Sequence, residues 1–304
     1  MKLIKQCLSC TLSVLREIRN EFQLRKFKKA VNILSPYTNV ELENEICITE
    51  DRGKIVWQLW LQGEDKAPPV VQKCFDSVKQ HLPKGYRRII LDEKTLKDWI
   101  EIPDYLERRY QSGHCLASNY ADYIRTCLLV KYGGIWIDAT VYLSGELPKE
   151  IVESDIFVFK NSLWCHDVFP PKIDFFNYIA EIDLDSALYG SSWFIVAKPG
   201  RAVLRVVKKA FEDYWNARDY QCYYFMFHIL FSLAIISRQD CREEFNAMCD
   251  YPNNIPHLFQ RGFHIKYCKT AYETLMNITH IHKLTYRHGN IVQGSMLEHF
   301  LKFA

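Results

Sequence analysis

Apolar residues recur at helical spacing between Ala117 and Tyr132, with Ala117, Ala121, Ile124 and Leu128 on one side of a predicted helix. Asp122 and Arg125 lie three apart within it and therefore share a neighbouring face. Gly133-Gly134 stops this helix, because glycine enters left-handed backbone without a steric cost. Ile135-Trp136-Ile137 is then a short, apolar, β-prone run, and Asp138 follows directly. In open α/β sheets ligands bind just beyond the carboxyl ends of the strands. Asp138 is thus a candidate ligand for a metal or a sugar hydroxyl. Taken alone, the Asp122–Arg125 pair also fits an ordinary exposed ion pair.

The same patterning predicts further strands at 53–60, 86–91, 155–159 and 191–197. Helices are predicted over 70–82, from Lys198-Pro199-Gly200 to about 215, and from Tyr223 to about Ile236. Short helices broken at Pro103 fill 93–110, and Asn161 to Trp164 reads as a turn. The stretch from Pro170 to Ile182 shows no assignable period. A strand–helix–strand order with short connections predicts parallel pairing and a Rossmann-like half. His228 is the one strongly polar group along a strongly apolar helix, and it reads as a hydrogen-bonded core histidine, with a functional role left open.

Residues 1 to about 50 differ in character from 51–304, and a domain boundary is predicted between them. Up to Pro36 there are eight Lys or Arg against two Glu. Ile4, Leu8, Leu15 and Phe22 form a helical stripe, interrupted by Arg19 and Lys26. A basic amphipathic segment over residues 1–35 suits either an anionic membrane surface or docking on the main domain. No apolar run reaches bilayer-spanning length.

With 304 residues, 48% of them apolar, the chain can bury the core of one large domain. Lys+Arg 39 against Asp+Glu 36 leaves no global field of the kind that marks a nucleic-acid binder. Eleven cysteines, an odd number without a repeating framework, favour reduced thiols and a cytoplasmic setting. Cys7-Leu-Ser-Cys10 has no partner pair at zinc spacing, so it is read as neither a metal nor a redox motif.

Ala121-Asp122-Tyr123-Ile124-Arg125, followed by Tyr132-Gly133-Gly134-Ile135-Trp136-Ile137-Asp138, resembles the nucleotide-sugar site of glycosyltransferases. The likeness is greatest to glycosyltransferase family 32, which includes capsular polysaccharide synthesis proteins. The resemblance implies a Rossmann-like GT-A α/β fold, here with an N-terminal helical extension. It implies a retaining hexosyltransferase that moves a sugar, as a UDP-sugar, onto a capsular or other surface polysaccharide precursor, free or lipid-linked. Asp122 would then meet ribose or sugar hydroxyls, Arg125 the sugar or phosphate, and Asp138 the donor or metal. Trp60 matches a tryptophan that ends the family's first strand, while Trp57 stands where relatives carry His, and both are candidates for stacking on the base. Ser191 to Ala197 resembles a family segment backing the donor site, which leaves Ser192-Trp193 either to contact the acceptor or to lie in a buried strand.

Near the carboxyl end, Ile281-His282-Lys283-Leu284-Thr285 is similar to a family segment whose basic residues meet the diphosphate or the metal. His282 and Lys283 are therefore candidates. Relatives hold Mn²⁺ or Mg²⁺ with Asp-x-Asp, whereas this chain reads Asp138-Ala139-Thr140. A metal would rest on Asp138, a hydroxyl such as that of Thr140, and the donor phosphates, with His282 as a further ligand. The competing arrangement is metal-free, with Lys283, His282 and Arg125 meeting the phosphates. Two other readings stay open: a transferase modifying protein or lipid, and a degenerate, nucleotide-binding scaffold. The expected location is cytoplasmic, with residues 1–35 touching the inner face of the membrane.

Overall fold

The computed structural model describes residues 22–42, 54–161 and 189–303. Strand β1 (Ile55–Leu59) leads through helix α2 (Pro69–Gln80) to β2 (Arg87–Leu91), after a first helix α1 over 22–34. Helices α3 (Asp104–Gln111) and α4 (Ala117–Tyr132) precede β3 (Gly134–Ile137) and β4 (Val141–Leu143). Helix α5 (Lys149–Val152), β5 (Ile156–Lys160) and β6 (Gly190–Ala197) complete the strands of the main sheet. Then come α6 (Ala202–Ala217), α7 (Met226–Ser237), α8 (Gln239–Asn246), α9 (Leu258–Arg261), α10 (Lys269–Ile278), β7 (Ile281–Lys283) and α11 (Met296–Phe303).

The main sheet has the order β2-β1-β3-β6-β5. β1 is parallel to β2 and β3, whereas β6 is antiparallel to both β3 and β5. Four strands thus run one way and β6 runs against them. Every residue of β1, β3 and β6 is buried, as expected for a sheet covered on both faces. On one face Trp57, Trp136, Tyr214, Trp215 and Phe227 join α4, α6 and α7 to the sheet. On the other, Ile135, Ile137, Phe157 and Phe194 pack with Val141, Leu143 and Ile151. The result is a mixed α/β, Rossmann-like fold, compatible with the GT-A kind.

The predicted elements around Asp138 hold almost to the residue. Gly133 caps α4 with φ 65° and Gly134 follows with φ 102°. A Cβ on Gly134 would collide with the Ile55 carbonyl oxygen, and one on Gly133 would lie 2.7 Å from that of Ala197. Two glycines are therefore required for α4 to turn into β3 while lying against its neighbours.

Helix α1 buries Phe27, Ala30 and Leu34 in the main core. Phe22, on the predicted apolar stripe, is instead 55% exposed, and Arg25, Lys26, Lys28 and Lys29 are exposed as well. The buried stripe is set by spacings of three and four that start at Phe27. Ile4, Leu8, Leu15, Cys7 and Cys10 lie outside the described residues, as do most of the 161–164 turn and the 170–182 stretch. The hydrophobic pattern predicts none of helices α8, α9, α10 and α11. No side-chain cap marks the start of α8, α9 or α10, so the usual local signal is missing.

A buried charge cluster beyond the end of β3

Asp138 follows the last residue of β3 and keeps the ladder going through its N–H, which donates to the Trp193 carbonyl at 2.9 Å. Side chains alternate along a strand, so Asp138 falls on the same face as Trp136, the face covered by α4. Asp122 and Arg125, one helical turn apart on α4, meet it there. Arg125 Nη1 is 3.1 Å from Asp122 Oδ1, and Arg125 Nη2 is 3.3 Å from Asp138 Oδ1. Nη1 also donates to the Ser192 carbonyl, and Nε to that of Ala121 at 3.4 Å. The guanidinium lies over the Trp136 ring at 4.9 Å, a cation–π contact that adds to its fixation. The Trp136 indole N–H donates to Asp138 Oδ1 at 2.8 Å.

A fourth member arrives from 145 residues further on. β7 pairs antiparallel with β4, matching Lys283 to Val141, and the Leu284 N–H donates to the Thr140 carbonyl at 2.8 Å. Lys283 Nζ then donates to Asp138 Oδ2 at 2.9 Å and to Thr140 Oγ1 at 2.6 Å. The Asp122–Arg125 pair is therefore not a surface pair. Its side chains are only 7% and 6% exposed.

Burial raises the Asp122 carboxyl to about 7, against the opposing pull of Arg125 and with Asp138 adding to the rise. For Asp138 burial alone acts upward, but Lys283, then Arg125 and Trp136, more than offset it and hold the carboxyl below its usual range. The cluster opens on a cavity of about 370 Å³, walled also by Ser191, Ser192, Trp193, His228 and His257. Burial, then Arg125, push the His228 imidazole down to about 3. His257 falls equally far through burial and Lys283. Both rings are neutral at physiological pH and can offer one donor and one acceptor each. Ser118 Oγ and Ser191 Oγ are buried at this cavity without a hydrogen-bond partner among the described residues.

Several expected assignments change. Trp57 cannot stack on a base: it is fully buried, donates to the Gly133 carbonyl at 2.9 Å, and packs edge-on against Trp99. The pleat turns it to the helical face of the core. Trp60, just past β1, packs on Tyr286 and Ala139 beside the Asp138–Thr140 turn, outside the wall of this cavity. His282 is no ligand of the cluster, because it alternates with Lys283 on β7 and points the other way. Its Nε2 lies 2.9 Å from Ser144 Oγ, its ring contacts Tyr142 and Phe259, and burial lowers it to about 4. His228 is part of the cavity wall rather than purely core. Trp193 does reach the cavity, whereas Asn253, His257, Gln260 and Arg261 come from a segment with no signal in the sequence.

A divalent cation needs accessible anionic oxygens. Both Asp138 oxygens are already engaged by cations or an indole, Thr140 Oγ1 accepts from Lys283, and His282 is turned away. Among the described residues no group of three His, Cys, Asp or Glu is placed to hold a metal. The expected Asp138–Thr140–His282 donor set does not fit Mg²⁺ or Mn²⁺.

A Rossmann-like sheet with buried, mutually paired charges at the carboxyl end of its central strand defines an α/β protein whose charge cluster lies at the sheet end where open α/β folds bind their ligands. The chain belongs to the capsular polysaccharide synthesis protein family, whose model matches residues 12–300. That match spans helix α1 as well as all four members of the cluster. Membership ties the chain to capsular polysaccharide synthesis and suggests a glycosyltransferase role. No curated protein and no solved structure matches it. No described helix is long and apolar enough to cross a membrane.

Proposed function

We propose that this protein is a glycosyltransferase that moves a sugar from a nucleoside-diphosphate donor, a UDP-sugar, to a saccharide acceptor that is a capsular or surface polysaccharide precursor. The observation that carries this reading is the convergence of Asp122 and Arg125 of α4, Asp138 after β3 and Lys283 of the distant β7 onto one cavity beyond β3. Transfer breaks the bond between the anomeric carbon and the diphosphate oxygen, and its electron pair stays on the diphosphate. The acceptor hydroxyl oxygen forms the new bond to that carbon, with retained configuration, and its proton leaves on the diphosphate. The protein has to stabilise the charge that develops and to hold the acceptor in place.

In this reading Asp122 and Asp138 accept hydrogen bonds from donor hydroxyls. Arg125 fixes both carboxylates. Ser118, Ser191 and His228 supply neutral hydrogen-bonding groups to a sugar. Trp60, whose indole N–H is buried without a partner among the described residues, is the platform for the base. The test is donor hydrolysis by the full chain across a panel of nucleotide sugars, with release of the nucleoside diphosphate measured. Release from at least one donor is expected. Binding of a donor with no release and no transfer to any saccharide would assign the chain to a nucleotide-binding scaffold instead.

The exposed basic face of α1 extends the reading to a peripheral place on an anionic membrane surface. Because α1 is docked through Phe27, Ala30 and Leu34, the test is charge reversal, Lys28→Glu with Lys29→Glu, and not deletion. Weaker sedimentation with anionic vesicles at unchanged melting temperature is expected, and unaltered sedimentation would refute it.

A further inference from the structure

We infer that Lys283 provides the fixed positive charge that meets the donor diphosphate, so that binding of the diphosphate needs no divalent cation. This rests on the nucleotide-sugar reading above and deepens it.

Three observations carry it. First, the ammonium is held where a cation would be expected. Nζ bridges Asp138 Oδ2 and Thr140 Oγ1, the first and third positions of Asp138-Ala139-Thr140. Second, its position is set by backbone as well as side chain. Lys283 pairs with Val141, and the next residue donates its N–H to the Thr140 carbonyl, so backbone hydrogen bonds tie the strand to the turn. A charge placed in advance costs no reorganisation when negative charge develops nearby. Third, Lys283 has donor capacity left over. An ammonium carries three N–H bonds and two are used here. Its side chain is 18% exposed and lines the cavity.

Arg125, the other cation at Asp138, is differently committed. It is only 6% exposed, and its N–H groups are aimed at Asp122, Asp138 and the carbonyls of Ala121 and Ser192. Arg125 therefore organises the carboxylates, while Lys283 is the cation that can reach outward.

The charge balance agrees. Asp138 is ionised, Lys283 and Arg125 are cationic, and Asp122 is only partly ionised near neutral pH because burial raises it to about 7. The cluster thus leans positive when empty, which suits an incoming dianion. A carboxylate in place of Thr140 would remove that surplus, and the neutral hydroxyl keeps it. As the glycosidic bond breaks, the free N–H of Lys283 would donate to the phosphate oxygen on which charge appears. Lys283 exchanges no proton with the acceptor in this step.

The test is calorimetric titration of the full chain with UDP, GDP, ADP, CDP and inorganic pyrophosphate, each in EDTA and in Mn²⁺. Wild type, Lys283→Met and Lys283→Arg are compared. At least one diphosphate is expected to bind in EDTA, with Mn²⁺ changing its affinity by less than about threefold. Lys283→Met should weaken it by about 10- to 100-fold, the worth of one charge-assisted hydrogen bond, and Lys283→Arg should recover most of the loss. Affinity at least tenfold higher in Mn²⁺ than in EDTA would overturn the inference and leave the transferase reading standing. So would a folded Lys283→Met that binds as wild type does. Should Lys283→Met fail to fold, the EDTA comparison on wild type and Lys283→Arg decides the matter alone. Absence of binding by every probe in both conditions would instead sink the nucleotide-sugar reading, and this inference with it.

Discussion

The two ends of the central sheet present opposite kinds of cavity. At the amino end, a space of about 800 Å³ lies among Lys54, Lys84, Tyr86, Lys149 and Lys198. At the carboxyl end the cavity is about 370 Å³, less than half as large. The amino-end charges stand in water: the Lys149–Glu153 pair is 82% and 65% exposed, and Lys198 pairs with Asp155 on the open surface. Ion pairs of that kind are screened and worth little. The carboxyl-end charges are taken out of water and held by one another, by an indole and by backbone carbonyls. Burial of that kind is costly, and breaking one member leaves an uncompensated charge. Size alone would choose the amino end. Desolvated, mutually fixed charge marks the place where a ligand's own charge would be felt most strongly.

The contrast can be sharpened by substitution, beginning with the largest effect. Gly134 lines the amino-end cavity, yet its role is conformational. Gly134→Ala forces a Cβ into the Ile55 carbonyl at positive φ and should destabilise the fold by about 2–6 kcal/mol, read by urea unfolding. A variant of wild-type stability would mean that the α4–β3 turn is not as tight as it stands. Next, Asp138→Asn should lower turnover of the donor by about 10²–10³, and the melting temperature should fall as well, because Arg125 and Lys283 lose the carboxylate they share. Undiminished turnover would remove Asp138 from the chemistry.

The Asp122 carboxyl titrates at about 7 when folded, above its ordinary 3.8, so between those values the folded protein keeps a proton that the unfolded chain has released. Stability from this group is complete below about pH 4 and is lost as pH rises through 7. Asp122→Asn lacks that loss. Its stability relative to wild type should therefore improve between pH 5 and pH 8 by on the order of 1–3 kcal/mol in parallel melts. A difference that does not vary with pH would mean that Asp122 is ionised throughout this range. The smallest effect belongs to the amino end: Lys149→Ala should change stability by less than about 0.5 kcal/mol and leave turnover untouched. A tenfold loss of turnover there would move functional weight to the larger cavity and break the comparison.

The stretch from Ala117 to Asp138 is legible in the sequence, because everything that shapes it is local. Helical period places Asp122 and Arg125 on adjoining positions, two glycines end the helix, and an apolar run makes the strand. Burial of the pair is not legible there, since it depends on β6 packing against α4 and supplying the Ser192 carbonyl. Nor is the direction of β6, which residues 161–189 separate in sequence from β5.

The clearest case is a pair of neighbours. His282 and Lys283 are equally plausible from composition, and both carry nitrogen suited to a phosphate. Pairing of β7 with β4 puts them on opposite sides, Lys283 toward Asp138 and His282 among Tyr142, Phe259 and Ser144. Trp57 and Trp60 divide in the same way between the core and the sheet end. Sequence by itself determined which residues form each central element, because period and glycine act over a few residues. Tertiary structure alone decided which side chains share a cavity, because that choice rests on strand register and on pairings across more than a hundred residues.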